Sequence, residues 1–544
     1  MVPNETAALP SGFSSKVDEL FAPWARPDSP GAVVAVRHRG RDVHRGCYGM
    51  AHLAHPAPLT DRSVMRIGSQ TKQFTVLLAL MLESQGRLSF QDDVRMHLPW
   101  LPELARPLTL HHLAANVSGL RDYVEILELS GQSPLTPCPR QMIRQVIRDH
   151  AGANFMPGDD MLYCNGGFFL LYEVIEQVSG RRYGDLLNEW ITGPLGMHCT
   201  QMVLQDDEIL PHLADHHTRG TDGRWRRAWT GEETNGDGGI VSSADDMLSW
   251  LSHLNSPRLG GAELVHMTKP GAIINGVPSP YCLGLIATDY RGDRNIGHSG
   301  GMAGARSEGV RFPDRELDIV ILANTDEISP FSMARRIVDI ALGRPAGSLH
   351  SSAARSRLSA AAGLYHDAAS DDVFAIVIEG DVPLLRTNSG THEIEEIGSN
   401  LFAPEFGVLP LRFGVRSDGD IDAIRLGRGK LYRRIRNADL AVNRDIVGWY
   451  GDASLGFSAE ISLEGDLPRL RIKSKFAVRD SLLHPIAPNL LLARSGTATD
   501  AAAVMGAGHT VPSWLCAVRT LPDAIIINTQ WTRYLRLPRT AGPL

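Results

Sequence analysis

Basic residues are in short supply: 54 Lys and Arg stand against 61 Asp and Glu, for a net charge of −7 over 544 residues. A nucleic-acid binder needs a basic stripe to meet phosphates, and a polybasic membrane patch needs the same, so neither partner is expected. Lysine is the scarcest cation, with only Lys16, Lys72, Lys269, Lys430, Lys473 and Lys475. No apolar run approaches the roughly 18 residues of an ordinary transmembrane helix. The opening Met1-Val2-Pro3-Asn4 has no basic flank leading into an apolar stretch, so no secretory signal is expected. The six cysteines (Cys47, Cys138, Cys164, Cys199, Cys282, Cys516) are scattered and never spaced CxxC. That argues against a zinc knuckle or a disulfide scaffold and fits a reduced, cytoplasmic setting. No metal or cofactor is expected.

Hydrophobic content of 43% and charged content of 21% are ordinary for a globular chain, and the length calls for two to four domains. Residues 31–37 and 43–48, joined by Arg39-Gly40-Arg41-Asp42, read as a β-hairpin. Thr71 to Gly86 and Phe168 to Val178 read as buried helices. Tyr281–Ile286, Gly309–Phe312 and Leu317–Leu322 read as strands, and Phe331 to Leu342 as a closing helix. This order predicts an α/β sandwich with an all-helical part. A linker is predicted from Arg344 to Arg355, and beyond it the pattern alternates like antiparallel sheet.

The tail repeats itself. Gly363-Leu364-Tyr365 recurs as Gly448-Trp449-Tyr450, and Glu379-Gly380-Asp381 as Glu464-Gly465-Asp466, both at an offset of 85. Further on, Asn400 pairs with Asn489 at an offset of 89 and Tyr432 with Tyr534 at an offset of 102, so the second copy carries about 13 extra residues between these pairs. They fall in a Gly/Ala/Ser/Thr-rich stretch, Arg494 to Pro512, whose one acid is Asp500. Two β-barrel or sandwich domains are expected, with boundaries at 1–344, 345–437 and 438–544.

Ser69-Gln70-Thr71-Lys72 is the strongest chemical signal. Residues i and i+3 at a helix start share a face, which sets the Lys72 amine beside the Ser69 hydroxyl. An amine held there can activate a serine, and the helix N-terminus favours a developing oxyanion. Lys72 is the one lysine with a serine three residues before it. Tyr163-Cys164-Asn165 is the one Tyr-x-Asn among eleven tyrosines. Its phenol can relay a proton, and its amide offers a donor and an acceptor to a substrate. His298-Ser299-Gly300-Gly301 ends a predicted loop, where glycines let backbone approach a substrate. Read alone, each of the three also fits a cap, a packed tyrosine or a turn.

In this order and at these separations, Ser-x-x-Lys, Tyr-x-Asn and His-x-Gly resemble the serine β-lactamase and penicillin-binding family. The closer likeness is to its class C and D-aminopeptidase branch. Asn116-Val-Ser118-Gly119-Leu-Arg-Asp-Tyr123, Pro194-Leu-Gly-Met197 and Gly238-Gly239-Ile-Val-Ser-Ser243 extend the likeness over residues 30 to 343. The resemblance implies Ser69 as nucleophile, Lys72 and Tyr163 as proton carriers, and Asn165 as substrate holder. It also implies an oxyanion hole from the N–H groups of Ser69 and Gly301. His298 stands where many relatives have a lysine that grips a substrate carboxylate. The expected activity is release of N-terminal D-residues from short peptides, amides or esters. An esterase, a β-lactamase-like hydrolase and a non-catalytic binder are the alternatives. A homodimer is implied by resemblance alone. The loop 494–512 is expected to reach the Ser69 site, with Asp500 binding a substrate ammonium.

Overall fold

The computed structural model describes residues 8–543 except 131–135, 151, 221, 275, 345–351, several turns of the tail (380–381, 388–389, 399–400, 405–410, 416–420, 427–429, 437–442, 454–455, 475–477, 530–531) and 496–515. Its centre is a six-stranded antiparallel sheet. In order across the sheet the strands are Ile286–Tyr290, Asp293–Met302, Ala305–Phe312, Leu317–Ala323, Ala32–His38 and Arg41–Tyr48. Strands Leu317–Ala323 and Ala32–His38 are apolar on both sides, as strands covered on both faces must be. Alternation divides them between two cores. Val33, Ala35, Val320 and Leu322 face the core that holds Phe74 and Trp250. Ala32, Val34, Val36, Ile319 and Ile321 face helices Phe13–Phe21 and Pro330–Ala341 through Phe13, Phe21 and Ile337.

Helix Thr71–Ser84 is buried along nearly its whole length and packs against helix Asn165–Ser179, whose first eleven residues are almost all covered. Helices Leu110–Ala114, Tyr123–Leu129, Arg140–Asp149 and Gly261–Met267 lie around them. Among the described residues no helix is long and apolar enough to cross a membrane.

The tail forms two closed antiparallel barrels of eight strands each. The first runs from Gly363–Asp367 to Lys430–Arg434 and closes at Tyr365 opposite Arg434. The second runs from Gly448–Asp452 to Leu535–Thr540 and closes at Tyr450 opposite Arg539. One clamp closes both. The Tyr365 hydroxyl donates to the Ala361 carbonyl at 2.7 Å, and Tyr450 to Ile446 at 2.6 Å. Arg434 donates to the carbonyls of Ala360 and Ala362, and Arg539 to those of Asp445 and Val447.

Three expectations are corrected. The last strands match through Arg434 and Arg539, so Tyr432 does not correspond to Tyr534: the register of the closing pair is set by the arginine clamp. The end of the predicted linker, from Ser352, belongs to a helix, Ser352–Ala360, held because Leu358 is buried in the first barrel's core. Tyr281–Leu285 is a buried loop, and the edge strand begins at Ile286. Asp500 and most of loop 494–512 lie outside the described residues.

Candidate active site

Ser69 sits on a single 3₁₀ turn, Gly68–Gln70, that runs directly into helix Thr71–Ser84. Gly68 takes φ of 54°, and a Cβ there would lie 2.7 Å from the Gly301 nitrogen. Glycine is therefore required both for the turn and for the close approach of the neighbouring strand. A Cβ on Gly300 would come within 1.8 Å of the Ile67 carbonyl oxygen. The strand thus lies against the serine turn backbone to backbone.

The Lys72 amine spends all three of its hydrogens in one place. Nζ donates to Ser69 Oγ at 3.1 Å, Asn165 Oδ1 at 2.9 Å and the Asp237 carbonyl at 2.6 Å. Tyr163 Oη donates to the same Ser69 Oγ at 2.7 Å. Lys72 Nζ also lies 4.9 Å from the Tyr163 ring centre and 5.3 Å from that of Phe168. Burial raises the Tyr163 phenol above its ordinary range, against the pull of Lys72 and Ser69. For the serine to give up its proton, one of these two donors must become an acceptor, and both are already within reach. Asn165 is anchored at the start of its helix, where its N–H donates to Asp122 Oδ2 at 2.6 Å.

His298 lies inside strand Asp293–Met302, not at the end of a loop, because Gly300 must continue the strand past Ile67. Its Nε2 is 3.3 Å from Tyr281 Oη and its Nδ1 is 2.6 Å from the Ser299 carbonyl. The ring packs 6.4 Å from that of Tyr163. Burial, followed by the nearby Lys72 cation, pushes the imidazole down to about 3, so it is neutral at physiological pH. Gly301 is exposed in the same strand, and a Cβ there would meet nothing closer than 3.5 Å. The structure therefore brings Ser69, Lys72, Tyr163 and Asn165 into contact, with His298 and the Gly301 backbone alongside. Asp500 is outside the described residues.

Sequence reasoning missed an acidic group behind the lysine. Tyr123 Oη donates to Asp237 Oδ2 at 2.8 Å and also lies against a Glu232 carboxylate oxygen. Burial raises both Glu232 and Asp237 above the ordinary range, and at Glu232 the neighbouring Asp237 carboxylate adds to it. Asp122, Tyr123 and Asp237 fall in or beside the stretches 116–123 and 238–243, the one signal that marked them. Among the described residues no group of three His, Cys, Asp or Glu side chains is placed to hold a metal ion.

Comparison with known proteins places this geometry. The sequence profile of the beta-lactamase family matches residues 17–342. The chain belongs to the beta-lactamase family. The D-aminopeptidases of Brucella canis and Brucella anthropi are each 31% identical to it, over 317 and 322 residues. Either match covers 58% of this chain and 60% of the relative, so the chain spans less than two thirds of these curated proteins. An octameric penicillin-binding protein homologue from Pyrococcus abyssi superposes over 96% of this chain and 98% of its own, with a TM-score of 0.56 at 19% identity. A D-amino acid amidase from Ochrobactrum anthropi SV3 covers 61% of this chain and 99% of its own, at 0.51 and 22%. At these identities the two structures establish the beta-lactamase-like fold, and the first extends the likeness into the barrels.

Proposed function

We propose that this beta-lactamase family member is a serine hydrolase that releases N-terminal D-residues from short peptides, amides or esters. The observation that carries the reading is the convergence of Tyr163 Oη and Lys72 Nζ on Ser69 Oγ, at 2.7 and 3.1 Å. Ser69 Oγ attacks the acyl carbon and its proton passes to the Tyr163–Lys72 pair. The carbon–nitrogen or carbon–oxygen bond breaks as that proton moves to the leaving group. Water then attacks the acyl-serine, giving up a proton to the same pair, and the serine leaves with it. The N–H groups of Ser69 and Gly301 receive the oxyanion, and Asn165 holds the substrate amide.

A neutral His298 leaves a substrate carboxylate without a cation at its position, which supports aminopeptidase over carboxypeptidase chemistry. Asp500 on loop 494–512 supplies the ammonium partner. In this reading residues 1–344 are the catalytic domain, and 345–437 and 438–544 are the barrel domains. The names of the 31% identical relatives support D-stereospecificity.

A panel of D- and L-alanine p-nitroanilides, amides and esters, with and without an N-acetyl group, tests the reading. Turnover of free D-alanyl substrates is expected, and Lys72→Ala should lower it by at least on the order of 10³-fold. Equal turnover of both enantiomers, or of N-acetylated substrates, counts against it.

A further inference from the structure

The second barrel reaches the segment that carries Tyr163. Between its last two strands, Arg533 is buried, with 5% of its surface exposed. Its backbone N–H donates to Asn154 Oδ1 at 2.6 Å, and Asn154 Nδ2 donates in turn to the Leu120 carbonyl at 3.1 Å. One end of the guanidinium faces Asp160 Oδ2 at 3.5 Å and the other faces Asp372 Oδ2, on the first barrel, at 3.3 Å. The Arg533 carbonyl accepts from Arg121 Nε at 3.1 Å.

Asp160 is three residues ahead of Tyr163, and its second oxygen also meets Lys430 Nζ of the first barrel at 2.9 Å. Its first oxygen caps the Met161 N–H at 2.8 Å. Burial alone would raise the Asp160 carboxyl, but Lys430 and Arg533 outweigh it and keep the group anionic. One arginine therefore ties together both ends of segment 154–160, the Arg121 side chain and both barrels. A serine hydrolase needs no barrels to bring Ser69 and Lys72 together, since one helical turn does that. Tyr163 arrives on a loop instead: the N–H groups of its neighbours Leu162 and Cys164 hold it from one side, donating to the Asn116 carbonyl at 3.0 Å and to Asn116 Oδ1 at 3.1 Å, and Arg533 holds the segment that leads into it.

We propose that Arg533 is a positioning residue for Tyr163, the means by which the second barrel fixes the phenol on Ser69 Oγ. The inference rests on the proton-carrying role given above to Tyr163. A misplacement of about 1 Å can cost up to roughly 10²-fold in rate. Arg533→Ala should accordingly lower kcat for D-alanine p-nitroanilide by about ten- to a hundred-fold, with KM little changed.

The test is a double-mutant cycle with Tyr163→Phe, in full-length protein whose folding is checked by circular dichroism. If Arg533 acts through the phenol, Arg533→Ala costs almost nothing further once Tyr163 is Phe. Asp160→Asn, which keeps the Arg533 backbone contacts, should repeat the pattern in milder form and serves if Arg533→Ala does not fold. Arg533→Lys should recover part of the loss. Independent, multiplicative losses in the cycle overturn the proposal while leaving Tyr163 its role. Undiminished turnover in Tyr163→Phe removes that role and the proposal with it.

Discussion

In the first barrel the apolar interior is completed by Leu358, from the helix Ser352–Ala360 that immediately precedes it. In the second, the matching interior takes in Ile126 and Leu129, from helix Tyr123–Leu129 of the beta-lactamase-like part. The strand plan and the Tyr/Arg clamp are the same, so the difference lies in what each barrel borrows. The first copy is filled from its own sequence. The second shares its core with the helix whose first residues, Asp122 and Tyr123, hold Asn165 and Asp237. A duplicated unit has become, in one copy, a support for the site.

The sharpest way to break this contrast is to empty the two interiors separately. Leu→Ala changes in buried cores cost about 2–5 kcal/mol. Ile126→Ala with Leu129→Ala should lower thermal stability on that scale and also depress turnover per folded molecule, because the helix bearing Tyr123 loosens. Leu358→Ala should lower stability comparably while leaving turnover per folded molecule unchanged. Matching activity losses in both variants would remove the distinction.

A smaller effect tests the joint between the barrels. Arg519 of the second binds Asp371 of the first, which also meets His366 Nε2 at 3.2 Å. Burial would raise this carboxyl, but the Arg519 and His366 hydrogen bonds outweigh it and hold it at about 2, below its ordinary 3.8. A depressed carboxyl stabilises above its unfolded value, and that contribution fades as pH falls from about 4 towards 2. Melting curves of Asp371→Asn should therefore lie below wild type at neutral pH and converge with it near pH 2. A constant gap across that window would contradict the linkage.

The smallest expected effect concerns the shared clamp. Tyr365→Phe and Tyr450→Phe each remove one buried hydrogen bond to a carbonyl, worth about 1 kcal/mol. Chemical denaturation should show similar losses in the two, since here the barrels are alike. A loss confined to one copy would show that the clamp has diverged as well.

How much of this could be read in advance depended on how local the cause was. Ser69 and Lys72 meet within one helical turn, so their spacing told the chemistry. The hairpin, the two buried helices and the doubled barrel followed from periodicity and repetition. Tyr281–Leu285 reads as strand because a buried loop lying on helix Thr71–Ser84 is as apolar as a strand. A Cβ on Gly284 would fall 2.7 Å from the Lys72 carbonyl oxygen, which is why that loop is glycine-bearing. His298 reads as a loop residue because Gly300 and Gly301 resemble a turn, whereas Gly300 serves a backbone contact within a strand. Glu232, Asp237 and Tyr123 converge from segments more than a hundred residues apart, and no local pattern announces that. Arg533 and Asp160 were invisible for the same reason.

Ser69 Oγ is the atom that the proposed mechanism acylates. Incubating the protein with a fluorophosphonate probe and sequencing its peptides by mass spectrometry tests this directly. One adduct is expected, on the peptide containing Ser69, absent from Ser69→Ala, which should also lose essentially all hydrolysis while melting like wild type. An adduct on another residue, or Ser69→Ala hydrolysing at the wild-type rate, would contradict it.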